Sequence, residues 1–78
     1  MKVQVKLYAT LRKYAPDGTS GPHELVLDDG ATVSQVLQTF GVPKDAVAFV
    51  FVNSRQQPLD YQLSDGDELG VFPPIAGG

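Results

Sequence analysis

The sequence has no cysteine and a single histidine among its 78 residues. The absence of cysteine excludes a disulfide framework, a zinc finger, an iron–sulfur site and a cysteine nucleophile. A nucleophilic triad would have to use serine or threonine activated by His23 alone. Its neighbour Glu24 cannot assist, because adjacent residues of a strand point to opposite faces. The composition therefore argues against a nucleophilic hydrolase.

Long hydrophobic runs are also missing. No apolar stretch approaches the roughly 18–20 residues of a membrane span, and the first residues alternate instead of forming the apolar block of a signal peptide. We therefore expect a cytoplasmic protein with no membrane partner. Hydrophobic residues make up 42% of the chain and charged residues 19%, which excludes a disordered protein and is typical of one small folded domain.

Basic residues are few, six against nine acidic ones, and the net charge is −3. The first 14 residues carry +4 and the remainder carries −7. Nucleic-acid-binding domains usually have a net basic charge or a dense basic stripe, so we expect no nucleic-acid partner. An acidic body is better suited to a basic protein surface. The four basic residues of the first segment are Lys2, Lys6, Arg12 and Lys13.

Alternation of apolar and polar residues predicts a first strand through Val3, Val5 and Leu7. A turn rich in proline and glycine over 16–22 separates it from a second strand, His23 to Leu27, and the two form a hairpin. A short turn or a single helical turn is expected between them, at Leu11 to Ala15.

A short helix follows, with one apolar face. Thr32 is expected to be its N-cap and Gln35 to complete a capping box, while Gly41 suits a left-handed C-terminal residue and Pro43 prevents continuation. The apolar face comprises Val33, Val36, Leu37 and Phe40.

The second half of the chain predicts three more strands: Ala46 to Val52, a short edge strand from Gln57 to Leu59, and Glu68 to Phe72. Strands on both sides of one helix indicate an α+β fold, the β-grasp, with a mixed sheet of four to five strands packed on that helix. The first and last strands should lie parallel at the centre of the sheet. We expect residues 1–72 to form the domain and 73–78 a flexible C-terminal diglycine tail.

One face of this sheet has no helix to cover it. Period-2 alternation points Val50 and Val52 towards the helix, and likewise Leu69 and Val71. The same alternation places four aromatic residues on the uncovered face, where they would form an apolar patch typical of a partner-binding site. The alternatives are a different register, which would bury some of them, or a covering loop. The four are Tyr8, Phe49, Phe51 and Phe72.

The sequence ends in Phe72-Pro73-Pro74-Ile75-Ala76-Gly77-Gly78. Two glycines at the end of a chain arise by chance in roughly 0.5% of sequences, given glycine at about 7% of residues. Without Cβ atoms they can enter a channel too narrow for other residues. Two prolines stiffen the approach, so the segment resembles an arm that delivers a terminal carboxylate. A frayed terminus is the alternative interpretation.

Several segments together resemble the MoaD/ThiS family of ubiquitin-like sulfur carriers. They are Val52-Asn53, the block from Leu63 to Leu69, and the C-terminal Phe72 to Gly78. The opening Leu7 to Arg12 is similar to the MoaD branch in particular. The acidic stretch Asp65-Gly66-Asp67-Glu68 within the block lacks the further ligands of a calcium loop, so we interpret it as a turn and expect no metal site.

The resemblance implies a mechanism. A ubiquitin-activating-type enzyme would use ATP to adenylate the carboxylate of Gly78, and a sulfur donor would convert it to a thiocarboxylate. The carrier itself would bind no cofactor and supply no acid or base, so we expect a non-catalytic, sulfur-donating subunit. In the MoaD branch the partner is the large subunit of molybdopterin synthase. The tail expected to enter the partner's active site comprises Pro73, Pro74, Ile75, Ala76 and Gly77.

Other clients of the same chemistry are thiamine, cysteine and transfer-RNA thiolation. Two further alternatives remain: a ubiquitin-like modifier joined to proteins through Gly78, and a β-grasp interaction module with an inert tail. Arg12 is a candidate partner for an acidic group of the activating enzyme, or else a solvated arginine at the end of a strand.

Overall fold

The computed structural model describes residues 1–74. The strands are β1 (Lys2–Leu7), β2 (His23–Val26), β3 (Phe49–Val52), β4 (Arg55–Gln57) and β5 (Glu68–Phe72), and the helix is α1 (Val33–Phe40). Two 3-10 helices span Ala9–Tyr14 and Lys44–Ala46. Of the predicted diglycine tail, 73–78, the residues from Ile75 to Gly78 lie outside the described residues.

The five strands form one mixed sheet in the order β2-β1-β5-β3-β4. β1 and β5 pair in parallel, with Val5 opposite Leu69, and the other neighbours are antiparallel. Parallel pairing of the first and last strands requires a crossover connection, which α1 supplies. The predicted α+β fold, the parallel central pair and the first hairpin are confirmed.

The core lies between α1 and one face of the sheet. Every second residue of β1 and β5 points into it, and the apolar face of α1 closes it. Full burial of an aliphatic side chain contributes about 1.5–3 kcal/mol, so these residues are the main stabilising element of so short a chain. The largest fully buried side chains are Leu7, Leu11, Leu37, Val3, Val5, Val33, Val36, Val50 and Val71.

Both ends of α1 are fixed as the sequence predicts. The backbone N–H of Thr32 donates to Gln35 Oε1 at 2.8 Å, so the glutamine satisfies a donor at the N-terminus. At the other end Gly41 has a φ of 74°, the left-handed conformation that glycine adopts without strain, and its N–H donates to the carbonyl of Gln38.

The predicted start of the third strand is wrong. β3 begins at Phe49, and the preceding residues form a 3-10 turn in which the N–H of Ala46 donates to the carbonyl of Pro43 and that of Val47 to Lys44. The run of apolar residues extends back to Ala46 in the sequence, but alanine has little strand preference and the turn satisfies these backbone groups locally.

The predicted edge strand is displaced by two residues. Asn53 and Ser54 have φ values of 51° and 71° and make a two-residue hairpin turn, so pairing with β3 resumes at once, with Arg55 opposite Val52. β4 therefore spans Arg55–Gln57 and ends before Pro58, which has no N–H to donate.

Candidate functional site

The four aromatic residues of the uncovered sheet face contact one another. Tyr8 stacks on Phe72 with ring centroids 4.4 Å apart and planes 8° from parallel. The ring centroids of Phe49 and Phe51 lie 5.2 Å and 5.7 Å from that of Phe72. The centroids of Phe49 and Phe51 are 5.6 Å apart, and these two rings pack edge to face. We call this set the aromatic cluster: Tyr8, Phe49, Phe51 and Phe72.

The aromatic cluster is accessible to a partner. Phe49 is 37% exposed and the other three rings are half-buried, whereas Val50 and Val52, which alternate with Phe49 and Phe51 along β3, are buried in the core. The predicted outward orientation is therefore confirmed, and neither the register alternative nor the covering loop holds within residues 1–74. The binding role of the cluster remains a prediction.

Gly70 forms the floor beside the aromatic cluster. A Cβ atom at this position would lie 3.1 Å from Cε2 of Tyr8 and 3.3 Å from Cε1 of Phe72, closer than ordinary packing allows. The glycine thus lets the two rings stack across the centre of the sheet. Next to them is an open groove of about 660 Å³ whose other wall includes Gln4 and Glu68. Gly70 was not among the residues predicted from the sequence; a glycine in the middle of a strand was the available signal.

Arg12 lies on the first 3-10 helix, four residues after Tyr8. Its Nε donates to the carbonyl of Ala9 at 3.1 Å, and the side chain is otherwise exposed. Among residues 1–74 it makes no ion pair. Its proposed contact with an acidic group on a partner stays a prediction.

A polar network that was not predicted from the sequence supports the start of β5. The Asp67 carboxylate, only 7% exposed, accepts hydrogen bonds from Nδ2 of Asn53 at 2.9 Å and from the backbone N–H of Ser64 at 2.7 Å. Oδ1 of Asn53 in turn accepts the N–H of Glu68 at 3.0 Å. The network joins the β3–β4 turn to β5. Its only sequence signal was an asparagine at a turn position that favours left-handed backbone.

The acidic stretch 65–68 is the turn that the sequence predicts. Gly66 has a φ of 88°, and Oδ1 of Asp65 accepts the backbone N–H of Lys2 at 2.7 Å. The carboxylates of Asp65 and Asp67 are thus engaged with backbone and amide donors. In the part of the chain that the structure describes, no three histidine, aspartate or glutamate side chains converge as metal ligands would.

One carboxyl group, that of Asp17, has a displaced pKa. It accepts hydrogen bonds from the backbone N–H of Thr19 at 3.0 Å and from the Thr19 hydroxyl at 2.8 Å, and these donors, with His23 nearby, lower the pKa of Asp17 below its usual range. Nε2 of His23 is within 2.9 Å of the Thr19 carbonyl. The carboxylate holds the turn before β2 and lies on a different loop from the aromatic cluster.

The chain leaves the sheet beside the aromatic cluster. Phe72 belongs to the cluster and is also the last residue of β5, where its carbonyl accepts the N–H of Ala48 at 2.8 Å. Pro73 is half-buried and Pro74 exposed. Ile75, Ala76, Gly77 and Gly78 follow in sequence, outside the described residues. An accessible aromatic surface therefore adjoins the start of the C-terminal segment. None of the helices in residues 1–74 is long and apolar enough to cross a membrane.

Comparison with known structures places this architecture among ubiquitin-like β-grasp proteins. SAMP1 from Haloferax volcanii superimposes with a TM-score of 0.78 at 26% sequence identity, over 100% of both chains. A putative molybdopterin converting factor, subunit 1, from Pyrococcus furiosus has a TM-score of 0.76 at 31% identity, over 96% of this chain and 99% of that one.

Sequence comparison gives the same assignment. Small archaeal modifier protein 3 of Haloferax volcanii is 30% identical over 95 aligned positions that cover 100% of both proteins. The model of the ThiS family matches residues 5–78. The chain belongs to the ThiS family, within the MoaD/ThiS group of ubiquitin-like sulfur carriers and small modifiers, as its sequence motifs suggested.

Proposed function

We propose that this protein is a sulfur carrier that is activated at the carboxylate of Gly78. The carboxylate attacks the α-phosphorus of ATP on a ubiquitin-activating-type enzyme, forming an acyl-adenylate and releasing pyrophosphate. A sulfide equivalent then displaces AMP and leaves a thiocarboxylate. ATP belongs to the activating enzyme, and the carrier binds no cofactor of its own.

The observation that carries this proposal is the position of the aromatic cluster at the end of β5. Phe72 belongs to the cluster, and six residues follow it before the sequence ends at Gly78. Fully extended, six residues span about 20 Å, enough to enter an active site while the cluster binds the rim of the same enzyme. Aromatic anchors of this kind are typical binding hot spots.

The client that we propose is molybdopterin synthesis, with the large subunit of molybdopterin synthase as the sulfur-accepting partner. The resemblance of the opening Leu7 to Arg12 to the MoaD branch supports it. So does the 31% identity to the Pyrococcus protein described as a putative molybdopterin converting factor subunit. Thiamine, cysteine or transfer-RNA thiolation would use the same carrier chemistry with a different acceptor.

A second candidate function is protein modification. Two of the similar proteins are small archaeal modifier proteins by name. A modifier and a carrier both begin with the acyl-adenylate, but in the modifier an amine of a target lysine displaces AMP and an isopeptide bond forms. The two functions differ in product, so the products of Gly78 discriminate them.

The experiment is an intact mass measurement on protein isolated from its own source and tagged only at Met1. The Met1 nitrogen donates to the Leu27 carbonyl at 2.7 Å, and a peptide-linked tag keeps one N–H there. We expect a mass increase equal to one oxygen exchanged for sulfur. The increase should be absent from two matched variants that keep the same fold, one lacking Gly78 and one extended by a single residue.

Covalent adducts with larger proteins and no sulfur shift would favour the modifier instead. An extended variant that still carries sulfur, without being trimmed back to Gly78, would show that the proposed chemistry at this carboxylate is wrong.

A further inference from the structure

β2 forms one edge of the sheet, beside β1, whereas three of the four rings of the aromatic cluster lie on β3 and β5. In the described residues nothing pairs with its outer side. The backbones of Met1 and Leu27 exchange two hydrogen bonds, at 2.7 Å and 2.8 Å. In an antiparallel pair only every second residue of a strand exchanges hydrogen bonds with its neighbour. Leu25 therefore bonds to β1, as Leu27 does to Met1, whereas the backbone N–H and C=O groups of Glu24 and Val26 point away from the sheet. Two donors and two acceptors are therefore presented in register for a further strand.

The two edges of the sheet differ in how they are protected. β4 has three residues and is followed by Pro58, which blocks further pairing. β2 is preceded by Pro22 but carries neither proline nor lysine along its length, and Val26 is 69% exposed, the most exposed large apolar residue among residues 1–74. Of the two edges, β2 is the one open to strand addition.

Charge decides what kind of strand fits. Glu24 lies on β2, and Asp28 and Asp29 follow it; all three are exposed, and Asp29 lies 4.0 Å from the Met1 amine. Helix α1, which flanks this region, has no charged residue, and its exposed Gln35 and Gln38 line a groove with the two aspartates. The groove thus offers amide and carboxylate groups beside an open backbone edge.

We propose that β2 binds an extended, basic segment of a partner protein as an added strand. The partner's backbone pairs with Glu24 and Val26, an apolar side chain covers Val26, and lysine or arginine side chains meet Asp28 and Asp29. A second copy of this chain fits less well, because antiparallel pairing of two β2 strands would bring two acidic edges together in a chain whose net charge is −3. The site is separate from the aromatic cluster, so both can be occupied at once.

The test is a titration of the isotope-labelled protein with a short peptide that alternates lysine and valine, compared with one that alternates glutamate and valine. Only the basic peptide should bind, and it should slow amide hydrogen exchange at Glu24 and Val26. Val26→Pro should weaken binding at least about fivefold, the effect of one lost hydrogen bond, because it removes an outward N–H that the native ladder does not use.

Charge reversal provides the matched control. The double variant D28K/D29K should bind the basic peptide more weakly, whereas D45K/D60K, which makes the same change in net charge at two other exposed aspartates, should bind like the wild type. Equal losses in both would show unspecific attraction and overturn the proposal. Protection at β4 or at the aromatic cluster would overturn it too. Protection of Glu24 and Val26 that appears with rising protein concentration and no peptide would identify a second copy as the occupant.

Discussion

Removing the Asp67 carboxylate should destabilise the fold more than any other substitution of an acidic residue. In Asp67→Ala the amide of Asn53 and the backbone N–H of Ser64 lose their acceptor at a position that is 7% exposed. Hydrogen bonds to a charged group contribute about 1.5–3 kcal/mol each, and water recovers part of the loss because Asn53 and Ser64 are exposed. We expect the free energy of unfolding to fall by about 2–4 kcal/mol.

That loss is large for this protein. A domain of 78 residues has a total stability of roughly 4–12 kcal/mol. Asp67→Asn retains one acceptor and should lose about half as much as Asp67→Ala. Asn53→Ala should also destabilise by about 2–3 kcal/mol, because it removes the acceptor for the Glu68 N–H and leaves alanine at a φ of 51°.

The assay is urea unfolding followed by circular dichroism, combined in a double-mutant cycle. Asp67→Ala and Asn53→Ala should be non-additive by about 1–2 kcal/mol, because they share a hydrogen bond. Asp60→Ala, at an exposed aspartate, is the control and should change stability by less than about 0.5 kcal/mol. A loss in Asp67→Ala no larger than that of the control, or additivity within error, would refute the reasoning.

Three further predictions concern other parts of the molecule. Phe72→Ala should weaken binding to the activating enzyme by more than about 1 kcal/mol, measured by calorimetry on folded protein; an unchanged dissociation constant would remove the aromatic cluster from the interface. Gly70→Ala should push the rings of Tyr8 and Phe72 apart, seen as altered ring proton shifts, with a stability loss of about 1–3 kcal/mol; unchanged shifts would contradict the packing role. The lowered pKa of Asp17 means that its hydrogen bonds to Thr19 stabilise the fold at pH values above the ordinary aspartate pKa. The difference in unfolding free energy between the wild type and Asp17→Asn should therefore shrink as the pH falls below about 4. A difference that stays constant with pH would contradict this prediction.

The distinction between carrier and modifier depends on chemistry at Gly78, whereas the fold is common to both. The β-grasp scaffold places an aromatic surface at the end of β5. In both proposed functions this surface would hold an enzyme while the following residues reach its active site. Mutations in the cluster should therefore impair both products together, and only the identity of the group that displaces AMP separates them.

Sequence alternation was most reliable where one face of a strand is buried. The outward positions of Phe49 and Phe51 and the span of β5 were predicted correctly, because a shift of one residue would exchange core and solvent faces. The helix ends were also predictable, since Thr32 and Gly41 act through local backbone geometry. Strand limits were less so. The sequence predicted that strands begin at Ala46 and at Gln57. In the structure Ala46 belongs to a 3-10 helix, and the turn at Asn53 and Ser54, with positive φ, lets β4 begin two residues before Gln57.

The sequence by itself determined the fold class, the single helix, the aromatic face and the family, because these follow from periodicity and from contiguous motifs. Only the tertiary structure decided which residues meet across the sheet. The stacking of Tyr8 on Phe72 over Gly70 and the Asp67–Asn53 bond join segments distant in the chain. The open edge of β2 likewise follows from the order of the strands in the sheet. Their partners are set by strand order and register, which no local pattern specifies.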